Sequence, residues 1–139
     1  MLVKQVITPY LSFNGNARAA LEKYQGIFGG ELEELKTYGE TDYPSPPEAA
    51  DLLIHGRLRI GDLVIMVSDA GPGREVTAGD NVSLVLEFEN DEEISNAYAA
   101  LAENGQVFME LQDTFWGAKY AKVRDEFGII WDLNFQKQG

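Results

Sequence analysis

Apolar and polar residues alternate in "SLVLEF": Leu84, Leu86 and Phe88 share one face, Ser83, Val85 and Glu87 the other. That period belongs to a half-buried strand. The stretch that follows, "NDEEISNAYAALAENG", changes period, with Ile94, Ala97, Tyr98 and Leu101 at helical spacing. Asn90 is placed to cap this helix with Glu93 three residues on, the first turn is acidic, and Gly105 marks the stop. The first half repeats the pattern. "TPYLSF" sets Pro9, Leu11 and Phe13 against Thr8, Tyr10 and Ser12. Ala17, Ala20, Leu21, Tyr24 and Phe28 then form a helical stripe that ends at Gly29–Gly30.

After each helix comes one strand, "ELEELKTY" or "QVFMELQD", and then a hairpin. The first hairpin turns on the two residues Gly61–Asp62, the second on the four residues of "DEFG". Strand–helix–strand–strand–strand is therefore written twice, and internal duplication is a stronger warrant than any single motif. The expectation is an α+β fold, one domain over residues 1–139, built from two tandem βαβββ modules. Module one covers about 5–70, a linker about 71–79, and module two about 80–136. Half a chain of this length makes a marginal core alone, so the two modules are expected to pack as one unit. "GETDYPSPPEAAD" reads as a mobile loop and "GPGRE" as a linker turn.

Hairpin length sets register, and register sets faces. A two-residue turn pairs Ile60 with Leu63, Arg59 with Val64, Leu58 with Ile65, Arg57 with Met66 and His55 with Ser68. Ile54, Leu58, Ile60, Leu63, Ile65 and Val67 then form an apolar face under a helix. His55, Arg57, Arg59, Met66 and Ser68 lie opposite. A four-residue turn pairs Arg124 with Ile129, Val123 with Ile130 and Ala121 with Asp132. It sends Trp131, Leu133 and Phe135 under a helix and Ile130, Asp132 and Asn134 to the other face.

Composition narrows the chemistry. The formal charge of −12 argues against nucleic acid or an anionic membrane as partner, because phosphate binding needs a basic face. The chain has no cysteine, which removes disulfides and thiolate metal sites and fits a cytoplasmic protein. No segment has the ~20 apolar residues of a membrane span, and "MLVKQVITPYLSF" lacks the pattern of a signal peptide. No Ser–His–Asp triad, phosphate-binding glycine loop or nucleotide fingerprint is present.

The segments "PYLSFNGNARAALEKY", "FGGEL", "HGRLRIGDLVIMVSD", "DNVSLVLEF" and "DTFWGAKYAKVRDEFGIIWDLNF" cover most of the chain. With the doubled βαβββ pattern they resemble the vicinal oxygen chelate superfamily of glyoxalase I, extradiol dioxygenases, and fosfomycin and bleomycin resistance proteins. More narrowly, the chain resembles the PhnB-like, 3-demethylubiquinone methyltransferase-like branch. "F-N-G-N" and "D-T-F-W-G-A-K-Y" are the specific pieces; "D-x-x-G" alone is weak. The resemblance implies a curved, cup-like mixed sheet with helices on its outer face, and a homodimer. It places "DTFW" at the lip of the cup, with Gly117 letting the chain bend into the next strand. Phe115 and Trp116 read equally well as apolar plugs of the core or of a dimer contact.

The superfamily metal site, mapped through the duplication, falls on Thr8, Met66, Ser83 and Asp132. Only Asp132 is a good ligand for a hard divalent ion; two hydroxyls and a thioether are not. The expectation is therefore a small-molecule-binding protein without the usual metal or any other cofactor, its reaction open. The rival is a metal-dependent lyase or dioxygenase with a displaced site such as His55 and Asp132. No glycine motif for an adenosyl donor supports methyl transfer. The ligand-binding candidates are Tyr10, His55, Arg57, Arg59, Met66, Ser83, Trp116 and Asp132. Arg57 and Arg59 either receive an anionic ligand or are neutralised by Glu87 and Asp132, and His55 is either a base or structural.

Overall fold

The computed structural model describes residues 6–71 and 73–137; Gln5, the expected start of the first module, lies outside them. The chain forms two compact units, residues 1–76 and 77–139. In the first, β1 (Tyr10–Phe13), α1 (Ala17–Phe28), β2 (Glu31–Thr37), β3 (Leu53–Ile60) and β4 (Leu63–Asp69) follow in order. In the second, β5 (Leu84–Glu87), α2 (Asp91–Ala102), β6 (Gln106–Asp113), β7 (Ala118–Arg124) and β8 (Ile130–Gln136) do the same. The sheets have matching orders, β1-β4-β3-β2 and β5-β8-β7-β6, with the outer pairs β1–β4 and β5–β8 parallel. Two mixed four-stranded sheets, each with one helix, realise the βαβββ pattern twice. No helix among the described residues is long and apolar enough to cross a membrane.

Each helix packs its apolar stripe on one face of its own sheet. Ala17, Ala20, Leu21 and Tyr24 of α1 are buried, with Leu58, Ile65 and Val67 beneath them; Ile94, Ala97 and Leu101 of α2 match Trp131 and Leu133. The helix starts differ. Asn90 caps α2 by accepting from the Glu93 amide at 2.8 Å. Asn16 makes no such bond; instead the buried Asp69 at the end of β4 accepts from the Ala17 amide at 2.9 Å. The helix exits agree. A Cβ on Gly30 would sit 2.3 Å from the Arg59 carbonyl oxygen, and one on Gly105 2.2 Å from that of Arg124. The left-handed backbone that ends α2 falls on Asn104, φ 59°, so Gly105 is required by close approach, not by conformation.

The register of the first hairpin is as expected from Ile60↔Leu63 to Arg57↔Met66. The second is one residue longer than expected: Arg124 pairs with Ile130, Val123 with Trp131 and Ala121 with Leu133. Asp125 is the cause. Its Oδ1 accepts from the Phe127 and Ile129 amides and its Oδ2 from Trp131 Nε1, closing a five-residue turn. Ala121 and Val123 therefore join Trp131 and Leu133 on the helix face, and Lys122 is what pairs with Asp132.

Two further expectations need correction. Ile54 does not lie under α1. β2 pairs Lys36 with His55 and Thr37 with Leu53, so Ile54 is the extra residue of a bulge; Leu53 takes the buried place. The segment expected to be a mobile loop carries two 3-10 turns, Tyr38–Glu40 and Pro47–Ala49, with Tyr38 and Ala49 buried. Its ends are tied by Tyr38 N donating to Leu52 O and Gly39 N to Ala50 O.

Candidate functional site

On the polar face of the first sheet, pairing across three strands sets Tyr10, Met66 and Arg57 in one row. His55 is held at both ring nitrogens: the Tyr10 hydroxyl lies 2.8 Å from Nδ1, and Glu34 lies 3.5 Å from Nε2. β2 supplies the countercharges. Glu33 and Glu34 are consecutive and would point to opposite faces of a regular strand. Glu34 has φ 54° and sits in a register shift between Glu33 and Lys36, which brings both carboxylates to the arginines. Arg57 Nη1 donates to Glu34 at 2.8 Å, and Arg59 Nε approaches both oxygens of Glu33 at 3.2 Å. Two guanidinium groups against two carboxylates leave no net charge. The neutralising groups are Glu33 and Glu34, not the expected Glu87 and Asp132. Arg57 Nε is buried without a hydrogen bond; its nearest carboxylate, Glu33, is 3.8 Å away.

In the second sheet the corresponding row is Val85, Asp132 and Lys122, so Asp132 stands where the first sheet has Met66. Asp132 Oδ1 is buried with no hydrogen-bond partner, and Lys122 Nζ stays 3.8 Å off. Glu87 is engaged by Asn134 Nδ2 at 2.7 Å. Tyr120 shares this face. Burial, and then the Asp132 carboxylate beside it, push its phenol up to about 12.

The β6–β7 turn extends the face. Thr114 bonds back to the Ala118 carbonyl through both its amide and its hydroxyl, and Gly117 takes φ 85° as the chain enters β7. This leaves Phe115 97% and Trp116 50% exposed at the tip. Within the described chain neither is a core plug. Phe115 stacks edge-on against Trp116 at 4.9 Å, and Trp116 against Tyr120 at 6.1 Å. An aromatic ladder thus runs from the turn to the Asp132 carboxylate. The expected Trp116 and Asp132 are joined through Tyr120, which the sequence reading did not single out. Spacing was the available signal: Tyr120 and Lys122 alternate on the face that a five-residue turn assigns to Asp132.

Thr8 and Ser83 lie half-buried just before β1 and β5. In the first unit Thr8 and Met66 offer a hydroxyl and a thioether, and in the second Ser83 and Asp132 offer a hydroxyl and a carboxylate; neither pair suits a hard divalent ion. Among the described residues no group of three or more His, Asp or Glu side chains is arranged to hold a metal.

Comparison with known proteins agrees with this architecture. Residues 5–134 match the family model of 3-demethylubiquinone-9 3-methyltransferase. The protein YjdN of Escherichia coli strain K12 is 36% identical, over 95% of this chain and 96% of its own. The crystal structure of PA1353 from Pseudomonas aeruginosa superposes with TM-score 0.87 at 36% identity, covering 97% of this chain and 100% of that one. A putative 3-demethylubiquinone-9 3-methyltransferase, PhnB protein, from Bacillus cereus gives TM-score 0.81 at 26% identity, covering 94% and 99%. At 14% identity and TM-score 0.70, a glyoxylase/bleomycin resistance protein/dioxygenase domain from Frankia sp. EAN1pec shares the fold, over 99% of this chain and 95% of its own. The chain belongs to the 3-demethylubiquinone-9 3-methyltransferase family, the PhnB-like branch of the glyoxalase/bleomycin resistance/dioxygenase fold.

Proposed function

We propose that this protein binds a small organic molecule at the Asp132 face without the metal usual in the superfamily. The observation that carries the reading is the buried Asp132 Oδ1, which has no hydrogen bond and only a long 3.8 Å ion pair with Lys122, beside the Tyr120–Trp116–Phe115 ladder. A buried acceptor left unpaired costs about 1–3 kcal/mol, and a ligand donor would recover it. The exposed indole offers that ligand a flat apolar surface. The anionic ligand expected at Arg57 and Arg59 loses support, since both charges are matched by β2. A displaced metal site using His55 is not favoured either, because both of its ring nitrogens have partners.

The molecule works as a cytoplasmic homodimer in this reading. Phe115, Trp116 and Tyr10 supply exposed aromatic area, and Val107, Phe108 and Met109 lie exposed on β6 at the sheet edge.

A fluorescence and thermal-shift screen of small amides, amines, alcohols and carboxylates tests the proposal. Trp131 is buried, so a solvent-sensitive change in emission reports Trp116. Hits should be hydrogen-bond donors, should perturb Trp116, and should weaken about tenfold in Asp132→Asn. Donor-free hits, or hits indifferent to Asp132→Asn, overturn it. Light scattering on the same sample should give twice the 15.4 kDa chain mass.

A further inference from the structure

The first compact unit, residues 1–76, contains a cavity that involves none of the candidates read from the sequence. It has a volume of about 220 Å³ and lies where the ends of β1 and β4 meet the segments around Tyr38–Tyr43 and Ala70–Val76. Three features build it. The parallel register of β1 and β4 pairs Ser12 with Ser68, placing two hydroxyls side by side. The bulge in β3 turns Ile54 away from the core and into the wall. Asn14 then clasps the far side, donating to the Val76 carbonyl at 2.9 Å and accepting from the Val76 amide at 2.8 Å. With the Arg74 amide bonded to the Gly71 carbonyl at 3.0 Å, that clasp holds Arg74 at the cavity.

The polar groups of this wall divide into used and unused. Asp69 is used: its two oxygens accept from the Ala17 and Leu53 amides, both at 2.9 Å. The Tyr38 hydroxyl is used, donating to the Asp69 carbonyl at 2.8 Å. Among the described residues, the Ser12 and Ser68 hydroxyls and the Arg74 guanidinium have no hydrogen-bond or ion-pair partner. The Arg74 charge nevertheless reaches the wall. Burial chiefly raises the Tyr38 phenol, with Tyr43 and Asp69 adding to it, while Arg74 pulls it down. Tyr38 and Tyr43 meet edge to face at 5.7 Å and offer a ring surface beside Ile54.

We propose that this cavity binds a small carboxylate with a compact apolar body. Arg74 takes the carboxylate at the mouth, since a free guanidinium suits two parallel hydrogen bonds to one carboxylate. Ser68, half-buried, and the exposed Ser12 beside it meet a hydroxyl or carbonyl of the ligand, and Ile54, Tyr38 and Tyr43 cover the body. The volume is below the roughly 300–1,000 Å³ of drug-sized pockets, so the ligand is limited to about one ring. The anion expected at Arg57 is thereby reassigned to Arg74, an arginine at the cavity with no carboxylate partner among the described residues.

Benzoate is the probe, with benzamide as its uncharged control, both titrated into the full chain and followed by amide NMR. Saturable shifts should appear at Ser12, Ser68, Gly71, Arg74 and Val76. Benzamide should bind at least about tenfold more weakly, and Arg74→Gln should weaken benzoate by about tenfold while leaving benzamide unchanged. Arg74 is exposed and its side chain is unpaired, so this variant is expected to fold. The proposal fails if those amides stay unshifted at benzoate concentrations on the order of 10 mM. It also fails if benzamide binds as well as benzoate, if Arg74→Gln binds normally, or if the shifts centre on Trp116 and Asp132. Because every residue lining the cavity belongs to the first compact unit, residues 1–76, its failure leaves the reading of the Asp132 face standing.

Discussion

The two modules share one framework and carry different chemistry. Sheet order, parallel outer pair, helix placement and the tight glycine against a strand carbonyl repeat from one to the other. The polar faces do not. The first holds Tyr10, Met66 and Arg57 in a row, with its arginines neutralised by Glu33 and Glu34. The second holds Val85, Asp132 and Lys122, with an aromatic turn beside the carboxylate. A helix-facing surface is constrained everywhere by close packing, whereas an exposed or ligand-facing surface tolerates substitution. Duplication has kept what packing demands and left the other face free to diverge.

The most severe way to break the shared framework is at Gly30 and Gly105. An added Cβ meets a backbone oxygen at 2.3 or 2.2 Å, and backbone cannot step aside as a side chain can. Gly30→Ala and Gly105→Ala should each lose about 3 kcal/mol or more in urea unfolding, with Gly30→Ala the costlier because Gly30 also holds φ 95°. Gly26 is the control: it lies inside α1 with open space around its Cβ position, so Gly26→Ala should gain up to about 1 kcal/mol. A mild Gly105→Ala beside a severe Gly30→Ala would show that the exits are not equivalent.

The next contrast is between two buried carboxylates used in different places. Asp69 joins the start of α1 to the start of β3; Asp125 closes the β7–β8 turn and holds the Trp131 indole. In both, every oxygen faces an N–H, so an amide nitrogen introduced by Asn would meet a donor. Asp69→Asn and Asp125→Asn should each cost about 2–3 kcal/mol by the same measurement. Asp125→Asn should also redshift the Trp131 emission by loosening its site, and Asp69→Asn should not.

Most of the framework was legible because period, caps and turn residues act locally. The stripe from Ala17 to Tyr24, the Asn90 cap and the Gly61–Asp62 hairpin each follow from a few neighbouring residues. What escaped depends on single-residue insertions decided by distant partners. Nothing within "ELEELKT" shows that Glu34 adopts a left-handed backbone and turns toward Arg57. Nothing within "LLIHGR" shows that Ile54 is the bulged residue. The β7–β8 turn is one position longer than its sequence suggests, because "DEFG" looks like a complete four-residue loop. Asp125 closes a longer one through bonds that only the folded turn reveals. By sequence "GPGRE" is no more than a linker turn, since the placement of Arg74 at the cavity depends on the Asn14–Val76 clasp across 62 positions of sequence.

The smallest expected effect is the most direct reading of how the polar faces differ, and it lies in two tyrosines. Tyr10 sits beside Met66, and burial alone raises its phenol. Tyr120 sits beside Asp132, and the carboxylate adds to burial to raise it to about 12. Because the folded value exceeds the unfolded one near 10, the folded state favours the protonated phenol. That contribution is fully present below about pH 10 and is lost as pH rises toward about 12, where the folded phenol also ionises. A spectrophotometric titration of the protein minus Tyr120→Phe isolates this group from Tyr10 and Tyr38, which are also raised. The difference curve should show one phenol ionising near pH 12. Asp132→Asn removes the carboxylate's charge but not the raising effect of burial, so the midpoint should fall part of the way back and stay above 10. An unchanged midpoint in that variant would separate Tyr120 from Asp132, and the aromatic ladder would then end short of the carboxylate it is proposed to serve.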